Sequence, residues 1–210
     1  MASRIIHLAI AKEITKEYQI KNADRFYLGS VLPDAALTKA AHFNKYIENN
    51  SKKTHNLTEF RNMYLNKILY DDLYLAYYLH LLEDIVFRYF MYTIIGYEPR
   101  PEGNIDKLHY DYKLINRYVI DKYRLDDCIR VPENIMEEPF MNDYQFNVYE
   151  FIDRMKKDYT DKLQGKTCFF TESMADKYIE MSVHKCLDEI EAVFNTYDYF
   201  NEDEYAWHRH

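Results

Sequence analysis

The sequence predicts an all-α fold, and two observations carry that prediction. Only 4 Gly and 5 Pro occur among 210 residues, which leaves little turn chemistry for a many-stranded sheet. In addition, several long segments repeat their apolar residues at the spacing of an α-helix. No internal repeat, low-complexity segment or domain boundary interrupts the chain. Residues 1–210 are therefore expected to form a single bundle of about six helices.

The first helix is expected to run from about Arg4 to Tyr18, with Ser3 as its N-cap. Its first half, IIHLAIA, is apolar on every side, so His7 is expected to be buried. A second, short helix is predicted near residues 24–31, within a stretch that is otherwise typical of a loop.

The centre of the chain is predicted to hold an amphipathic helix over residues 57–69 and an apolar helix from about Asp72 to Ile95. The second is apolar on nearly every side, as expected of a helix in the middle of a bundle. Gly96 and the Pro-rich stretch YEPRPEGN are expected to end it.

From Ile105 to about Arg124 the period is again helical. Asp111 is expected to point away from the buried stripe of this helix, whereas His109 and Asn116 fall within it. The stripe consists of Ile105, Leu108, Tyr112, Ile115 and Val119.

The C-terminal part is predicted to hold two more helices, at about residues 144–163 and 173–195. An extended connection that carries Pro132 and Pro139 is expected before them. The acidic sequence NEDEY lies in the segment from about residue 198, which is expected to form a short solvated tail.

The net charge of −8 excludes some partners and leaves others open. It argues against binding to nucleic acid or to an anionic membrane, because both favour a basic surface. A phosphate ester remains a possible substrate, since bound metal ions reverse the local field.

Cysteine usage and the absence of targeting patterns predict a cytoplasmic protein. Three cysteines without a CxxC motif are typical of reduced thiols. The N-terminal sequence has no signal-peptide pattern, and no segment is both long enough and uncharged enough to span a bilayer.

The stretch YLHLLEDIVFRYF, residues 78–90, places His80 and Asp84 on one face of the apolar helix. A buried carboxylate is costly unless a positive charge compensates it. Two interpretations are open. In the first, Asp84 pairs with Arg88 one turn further on, and His80 only hydrogen-bonds within the core. In the second, His80 and Asp84 bind a buried metal cation.

Four other positions are candidate ligands, and each also has an ordinary structural interpretation. His7 and His109 could be buried histidines that only form hydrogen bonds. Asp34 could cap the residues that follow it, and His42 could be a polar surface residue. The histidines in polar or terminal sequence are expected to be ordinary surface residues: His55, His208 and His210.

His184 and Asp188 repeat the four-residue spacing of His80 and Asp84 in another predicted helix. The apolar residues of that helix lie on its opposite side, so its periodicity predicts that the pair is solvated. The spacing alone also admits a second pair of metal ligands.

One shared cation would explain several inward-pointing histidines at once. It would supply the positive charge that Asp84 needs, and it would bind the lone pairs of neutral imidazoles. Nitrogen and carboxylate ligands without thiolates suit zinc in a catalytic site. The sequence therefore predicts zinc as the cofactor, with one to three ions.

The local sequences around these candidates form an ordered set of motifs: RIIHLAIAKEI, FYLGSVLPDA, AHF and YYLHLLEDIVFR. This set resembles the bacterial zinc-dependent phospholipase C family, which is related in fold to zinc nucleases of the P1 type. The resemblance covers roughly the first 125 residues. In chain order the matching candidates are His7, Asp34, His42, His80, Asp84 and His109.

The resemblance implies an all-α fold in which clustered zinc ions lie between the helices and hydrolyse phosphodiester bonds. Asp84 would bridge two zinc ions, one of which His7 also holds. The ligands around the other zinc would be Asp34, His42, His80 and Asp84. The resemblance also matches His109 to a further ligand, and His184 with Asp188 to an HxxxE helix of the family, with Asp in place of Glu.

The predicted activity is that of a zinc-dependent phosphodiester hydrolase of phospholipase C type, acting on a small-molecule or lipid phosphoester. A metal with an open position lowers the pKa of water to roughly 7, so the hydroxide formed there is expected to attack phosphorus. Asp34 is the candidate to orient or deprotonate that water. Arg88 could neutralise a ligand carboxylate or contact the phosphate. The alternative is a catalytically silent metal-binding or interaction module with the same fold.

Overall fold

The computed structural model describes residues 2–126, 129–196 and 198–208. The fold is mostly helical, with 65% of the residues in helices, as the sequence predicts. One of the three cysteines, Cys128, lies outside the described residues, as does His210. Within the described ranges the eight α-helices are α1 (Arg4–Glu17), α2 (Ala23–Gly29), α3 (Leu57–Tyr70), α4 (Asp72–Tyr89), α5 (Asn104–Tyr123), α6 (Pro139–Tyr144), α7 (Val148–Thr160) and α8 (Glu172–Asn195).

Helix α1 is enclosed by the rest of the bundle, as its apolar sequence predicts. Ser3 caps the helix, because its side-chain oxygen accepts a hydrogen bond from the N–H of Ile6. Every residue from Ile5 to Ala11 is buried, including His7. Helices α5 and α8 cover α1. The ring nitrogens of His7 must therefore find partners inside the protein.

Helix α4 is the centre of the bundle, which confirms the prediction from its all-round apolar sequence. Every residue from Asp72 to Phe87 is buried, because α2, α3 and α8 pack against it. Helix α2 can approach closely only because residue 29 is Gly, since a Cβ there would lie 2.3 Å from the backbone oxygen of Leu73. A π-helical turn over Phe90–Ile94 continues α4.

A β-hairpin, absent from the sequence-based expectations, lies between α2 and α3. Strand β1 (Asn44–Ile47) pairs antiparallel with β2 (Lys52–His55), and β3 (Trp207–His208) pairs with β2 as the third strand. The sequence NKYIENNSKKTH lacks the alternation of apolar and polar residues that marks a half-buried strand. Its turn places residues 48–50 at positive φ, a conformation that Asn tolerates. The hairpin brings the end of β2, and with it His55, against α4.

Helix α5 buries a face that is rotated from the predicted one. Ile105 and His109, both expected to be buried, are exposed. Asp111, expected to point away from the core, is completely buried. Its carboxylate accepts hydrogen bonds from three successive backbone N–H groups just before α8. These charge-assisted bonds stabilise an orientation of α5 that differs from the one its apolar residues predict. The rest of the predicted face is buried as expected: Leu108, Tyr112, Ile115, Asn116 and Val119.

The region before α8 differs from the prediction in two places. The helix expected over residues 144–163 is shorter and begins later, as α7, because Gln145 adopts φ 54° and ends the preceding helix α6. Pro139 begins α6 instead of lying in an extended segment, which suits a residue whose fixed φ is that of a helix. Helix α8 spans the predicted range.

The acidic segment near the C-terminus is not the solvated tail that its composition predicts. Glu202 is buried, and its side chain accepts a hydrogen bond from the backbone N–H of Thr58. Its backbone oxygen accepts a hydrogen bond from the hydroxyl of Thr54. These bonds hold the segment beside the hairpin. Among the residues described, none of the helices combines the length and apolarity needed to cross a bilayer.

Candidate metal centre

The central pair of the site lies on α4, where His80 and Asp84 are both completely buried. The Nε2 atom of His80 lies 3.7 Å from Oδ2 of Asp84. Arg88 does not form an ion pair with Asp84 in the described part of the chain. It donates a hydrogen bond to the hydroxyl of Tyr92 and lies near the ring of Trp207. The compensating charge for Asp84 must therefore come from elsewhere.

Four other parts of the chain bring side chains to this pair. Helix α1 supplies His7, and strand β2 supplies His55. Asp34 lies in a 3-10 turn over Leu32–Ala35, which a proline at its first turn begins. His42 ends a second 3-10 turn over Lys39–His42, just before the hairpin.

The carboxylate of Asp84 is surrounded by imidazole nitrogens. Its Oδ2 lies 3.8 Å from Nε2 of His42 and 3.9 Å from Nε2 of His55, in addition to the contact with His80. Its Oδ1 lies 3.6 Å from Nε2 of His7. Separations of this size are too long for hydrogen bonds. They are close to the distance of ~3.4 Å that separates two tetrahedral ligands whose bonds to zinc are about 2.1 Å long.

In His80 and His55, the ring nitrogen that points away from Asp84 hydrogen-bonds to a backbone carbonyl oxygen. The Nδ1–H of His80 donates to the backbone oxygen of Ser30 over 2.8 Å, and the Nδ1–H of His55 donates to that of His42 over 2.7 Å. A proton on Nδ1 leaves the lone pair of the neutral ring on Nε2. In both rings that lone pair faces the carboxylate of Asp84, which is the orientation that second-shell bonds give to metal-binding histidines.

His7 is oriented by a buried carboxylate instead. Its Nδ1 lies 2.5 Å from Oε2 of Glu83, whose side chain is 1% exposed. The hydroxyl of Tyr178 donates to the backbone oxygen of Glu83, and the thiol of Cys186 lies 3.9 Å from Oε1. Burial raises the pKa of Glu83 to about 7, although its contact with His7 lowers it. A carboxylate that contacts one ring nitrogen of a histidine, while the other ring nitrogen faces the metal site, is a common arrangement in metal-binding proteins.

Within the described part of the chain, several buried polar atoms of the cluster have no hydrogen-bond partner. An unsatisfied buried polar group costs about 1–3 kcal/mol, so a group of them requires an explanation. A single type of bound species, a cation, would contact all of them, and nitrogen and oxygen donors without thiolate suit zinc. The residues present therefore fit a metal. The buried atoms without a hydrogen-bond partner in the described part of the cluster are Nε2 of His7, His42 and His80, Oδ1 of Asp34 and Oδ2 of Asp84.

Four groups of the cluster have the protonation states of metal ligands, and His7 does not. Burial lowers the pKa of both His55 and His80 to about 3, so their rings are neutral. Burial raises the pKa of Asp34, but the surrounding histidines outweigh it and hold that pKa below the ordinary value. Burial also raises the pKa of Asp84, but the positive charge of the chain's N-terminus and the nearby histidines outweigh it and hold that pKa well below the ordinary value. His7 is the exception, because contacts with Asp84 and Glu83 outweigh its burial and raise its pKa to about 10. The proton on His7 offsets the negative charge of the neighbouring carboxylates, which a bound cation would neutralise in its place.

A cleft of about 490 Å³ opens onto the cluster. Asp34, His42 and His55 contribute to its wall, whereas His80 and Asp84 are enclosed behind them. Three cationic side chains also line the cleft, so its local charge differs from the negative charge of the whole chain. These side chains are Lys39, Lys53 and Arg88.

Five of the candidate ligands named from the sequence converge in the structure, and three do not. His109 lines the same cleft but is exposed, outside the enclosed cluster. His184 and Asp188 are exposed on α8, which confirms the prediction from their periodicity. The five that converge are His7, Asp34, His42, His80 and Asp84.

Sequence reasoning missed two residues of the site, His55 and Glu83. His55 follows the charged stretch SKKT, and the prediction that it is an ordinary surface residue is wrong, since it is 3% exposed. Nothing in the local sequence indicates its burial. Glu83, next to Asp84 in a helix that is apolar on nearly every side, offered a signal: a second buried carboxylate there also needs a partner.

Comparison of the chain with protein-family models, with curated proteins and with solved structures finds no match in any of the three. The class of site is therefore defined by its own geometry. It is a buried cluster of imidazole and carboxylate groups that could hold a metal ion, and it borders an open cleft lined with cationic side chains.

Proposed function

We propose that the protein is a zinc-dependent phosphoesterase, specifically a phosphodiester hydrolase of phospholipase C type. One observation carries the proposal. Buried imidazole nitrogens and carboxylate oxygens face one another without hydrogen-bond partners among the described residues, beside a cleft lined with cationic side chains. The order of the sequence motifs adds the expectation of phosphodiester chemistry.

The side chains that would hold the metal are those in the cluster whose buried ligand atoms have no hydrogen-bond partner among the described residues. A divalent cation bound there would supply a water of lowered pKa at neutral pH and positive charge for the phosphoryl oxygens. The chain's part is to aim the imidazoles, through their bonds to Ser30, His42 and Glu83. The holding residues would be His7, Asp34, His42, His80 and Asp84.

Asp34 is our candidate for the group that orients and deprotonates the attacking water. It is the one carboxylate of the cluster that borders the cleft, whereas Asp84 is fully enclosed. Its pKa lies below the ordinary value, because His42 and the other histidines outweigh burial. Asp34 is therefore ionised at neutral pH and available to accept a hydrogen bond.

Arg88 is our candidate for the group that contacts the phosphate. Its Nε atom is buried and has no hydrogen-bond partner among the residues that the structure describes. Its guanidinium lies 5.7 Å from the ring of Trp207 in the wall of the cleft. A planar guanidinium with free donors matches the oxygens of a phosphoryl group. Lys39 and Lys53 line the same cleft and would add long-range attraction for an anion.

The experiment that tests this function is hydrolysis of a nitrophenyl phosphodiester, such as nitrophenyl phosphocholine, by the purified protein. We expect turnover that a chelator abolishes and added zinc restores. Assayed with enough added zinc to fill the site, Asp34→Asn should still lose most of the activity, by about 100-fold or more if Asp34 acts as the base. Turnover that a chelator leaves unchanged would contradict the proposal.

The second candidate is a metal-binding module without turnover. The exposure of His184 and Asp188 favours it, because the resemblance expects that helix to contribute ligands and here it does not reach the cluster. Such a protein would bind zinc and gain stability from it, yet hydrolyse none of the phosphodiesters offered.

A further inference from the structure

His55 reaches the cluster from the β-hairpin, whereas His7, His80 and Asp84 come from the helical core. Its side chain is 4% exposed, and its Nε2 lies 3.9 Å from Oδ2 of Asp84. The centroids of the His55 and His42 rings are 5.8 Å apart. His55 therefore stands at the same distance from Asp84 as the histidines of the core.

The orientation of the His55 ring is fixed. Its Nδ1–H donates to the backbone oxygen of His42 over 2.7 Å, and the ring of Trp207 lies 5.4 Å away on another side. The bond through Nδ1 places the free lone pair on Nε2, on the side of the ring that faces Asp84. His80 has the same arrangement, with Ser30 as the carbonyl partner. Two rings oriented in the same way present equivalent ligand atoms to one carboxylate oxygen.

We infer that His55 is a further protein ligand of the divalent cation, supplied by the hairpin at the boundary between the cluster and the cleft. The inference rests on the proposed function only for the presence of the metal, and it needs no catalytic activity. It has a structural consequence. The metal would join the hairpin to α4, so that loading the site would stabilise the hairpin and strand β3 beside it.

The chain carries its own reporter for this inference, since Trp207 is its single tryptophan. Its ring lies 5.4 Å from that of His55, and strand β3 fixes it opposite Lys53. Cobalt(II) occupies zinc sites and quenches a nearby indole. Titration of the metal-free protein with cobalt should therefore quench the fluorescence of Trp207, and the titration measures affinity without any substrate.

The decisive variant is His55→Asn, with His55→Ala beside it. The amide nitrogen of Asn takes the place of Nδ1, so His55→Asn keeps a donor for the backbone oxygen of His42 but has no ligand atom at the position of Nε2. We expect both variants to bind cobalt about 100-fold more weakly than the wild type, the upper end of what loss of a supporting residue costs. We also expect the visible absorption of bound cobalt to change, because one nitrogen ligand is lost. The exposed His184→Ala is the matched control and should leave both readouts unchanged.

The possible outcomes separate this inference from the proposed function. If His55→Asn keeps the affinity and the cobalt spectrum of the wild type while His55→Ala loses them, His55 only positions His42 and the inference is wrong. If both variants retain them, His55 has no role at the metal. If the wild type itself binds no cobalt or zinc, the proposed function fails and this inference fails with it.

Discussion

Asp84 holds the site together at the scale of single residues. One of its carboxylate oxygens faces His7, and the other faces His42, His55 and His80. When no metal is bound, a proton on His7, between Asp84 and Glu83, offsets the negative charge of the cluster. A cation bound in the cluster would offset that negative charge instead of the proton. The hydrogen bonds of His7, His55 and His80 through Nδ1 then serve to aim their Nε2 atoms.

Substitution of the central pair tests its role directly. His80→Ala and Asp84→Asn should each lower zinc affinity by about 100-fold or more, since the first removes a ligand nitrogen and the second replaces a charged carboxylate by a neutral amide, which binds zinc more weakly. The far-ultraviolet circular dichroism should change little, because α4 has apolar neighbours on every side. Metal content and affinity are the measurements, with His184→Ala as the control. Full metal retention by both variants would show that the central pair has been assigned wrongly.

The pH dependence of stability should differ between the metal-free and the metal-loaded protein. The pKa of His7 is raised to about 10, so its contribution is complete below its ordinary pKa of 6.5 and is lost as the pH rises through about 10. The raised pKa of Glu83 acts in the same direction, and its contribution is lost as the pH rises through about 7. The metal-free protein should therefore lose stability from pH 6 to pH 9.

The metal-loaded protein should show the opposite trend, because its ligands must be deprotonated and metal is lost as the pH falls. Thermal melts in chelator and in excess zinc, across this pH range, measure both curves. Parallel curves would mean that the cation does not replace the proton on His7.

At the scale of elements, the sequence predicts the helices well and the hairpin not at all. Helix α4 is predictable because an apolar surface on all sides has one stable location, the middle of a bundle. The hairpin is not, because its strands are polar and short, and their position depends on contacts with distant residues. Its end nevertheless places His55 at the site. Five candidate ligands were predictable because they lie in ordered motifs, whereas the ligand candidate on the hairpin was not.

The rotated face of α5 shows how a single polar contact overrides an apolar period. Asp111→Asn should destabilise the protein by about 3 kcal/mol, since an amide cannot accept bonds from three backbone N–H groups as a carboxylate does. Urea unfolding measures the loss. Asp106→Asn, at an exposed position of the same helix, is the matched control. Equal stability of the two variants would show that the buried carboxylate is not what fixes the face of α5.

At the scale of the whole molecule, the C-terminal segment returns to the site. The carboxylate of Glu189 on α8 accepts a hydrogen bond from the backbone N–H of Phe200, and Glu202 accepts one from that of Thr58. These contacts lead into β3, which pairs with β2 and places Trp207 beside His55. The last part of the chain thus supports the hairpin, although composition alone predicted a solvated tail.

Glu202→Ala tests that support. The variant leaves the N–H of Thr58 without its carboxylate partner and should cost about 1–3 kcal/mol in the free energy of unfolding. The fluorescence of Trp207 should shift to longer wavelength as β3 loosens. Glu204→Ala, at an exposed position nearby, is the control and should change neither quantity. If Glu202→Ala behaves like this control, the acidic segment does not hold β3 in place.

The central claim is that the buried histidines and carboxylates bind a divalent cation, and metal content tests it most directly. Protein purified with neither added metal nor chelator should carry at least one equivalent of zinc or a similar ion by elemental analysis. Removing that ion should lower the melting temperature, because a ligand present at about 1,000 times its dissociation constant stabilises the folded state by about 4 kcal/mol. Protein that is metal-free as purified, does not bind added zinc and gains no thermal stability from it would contradict the claim.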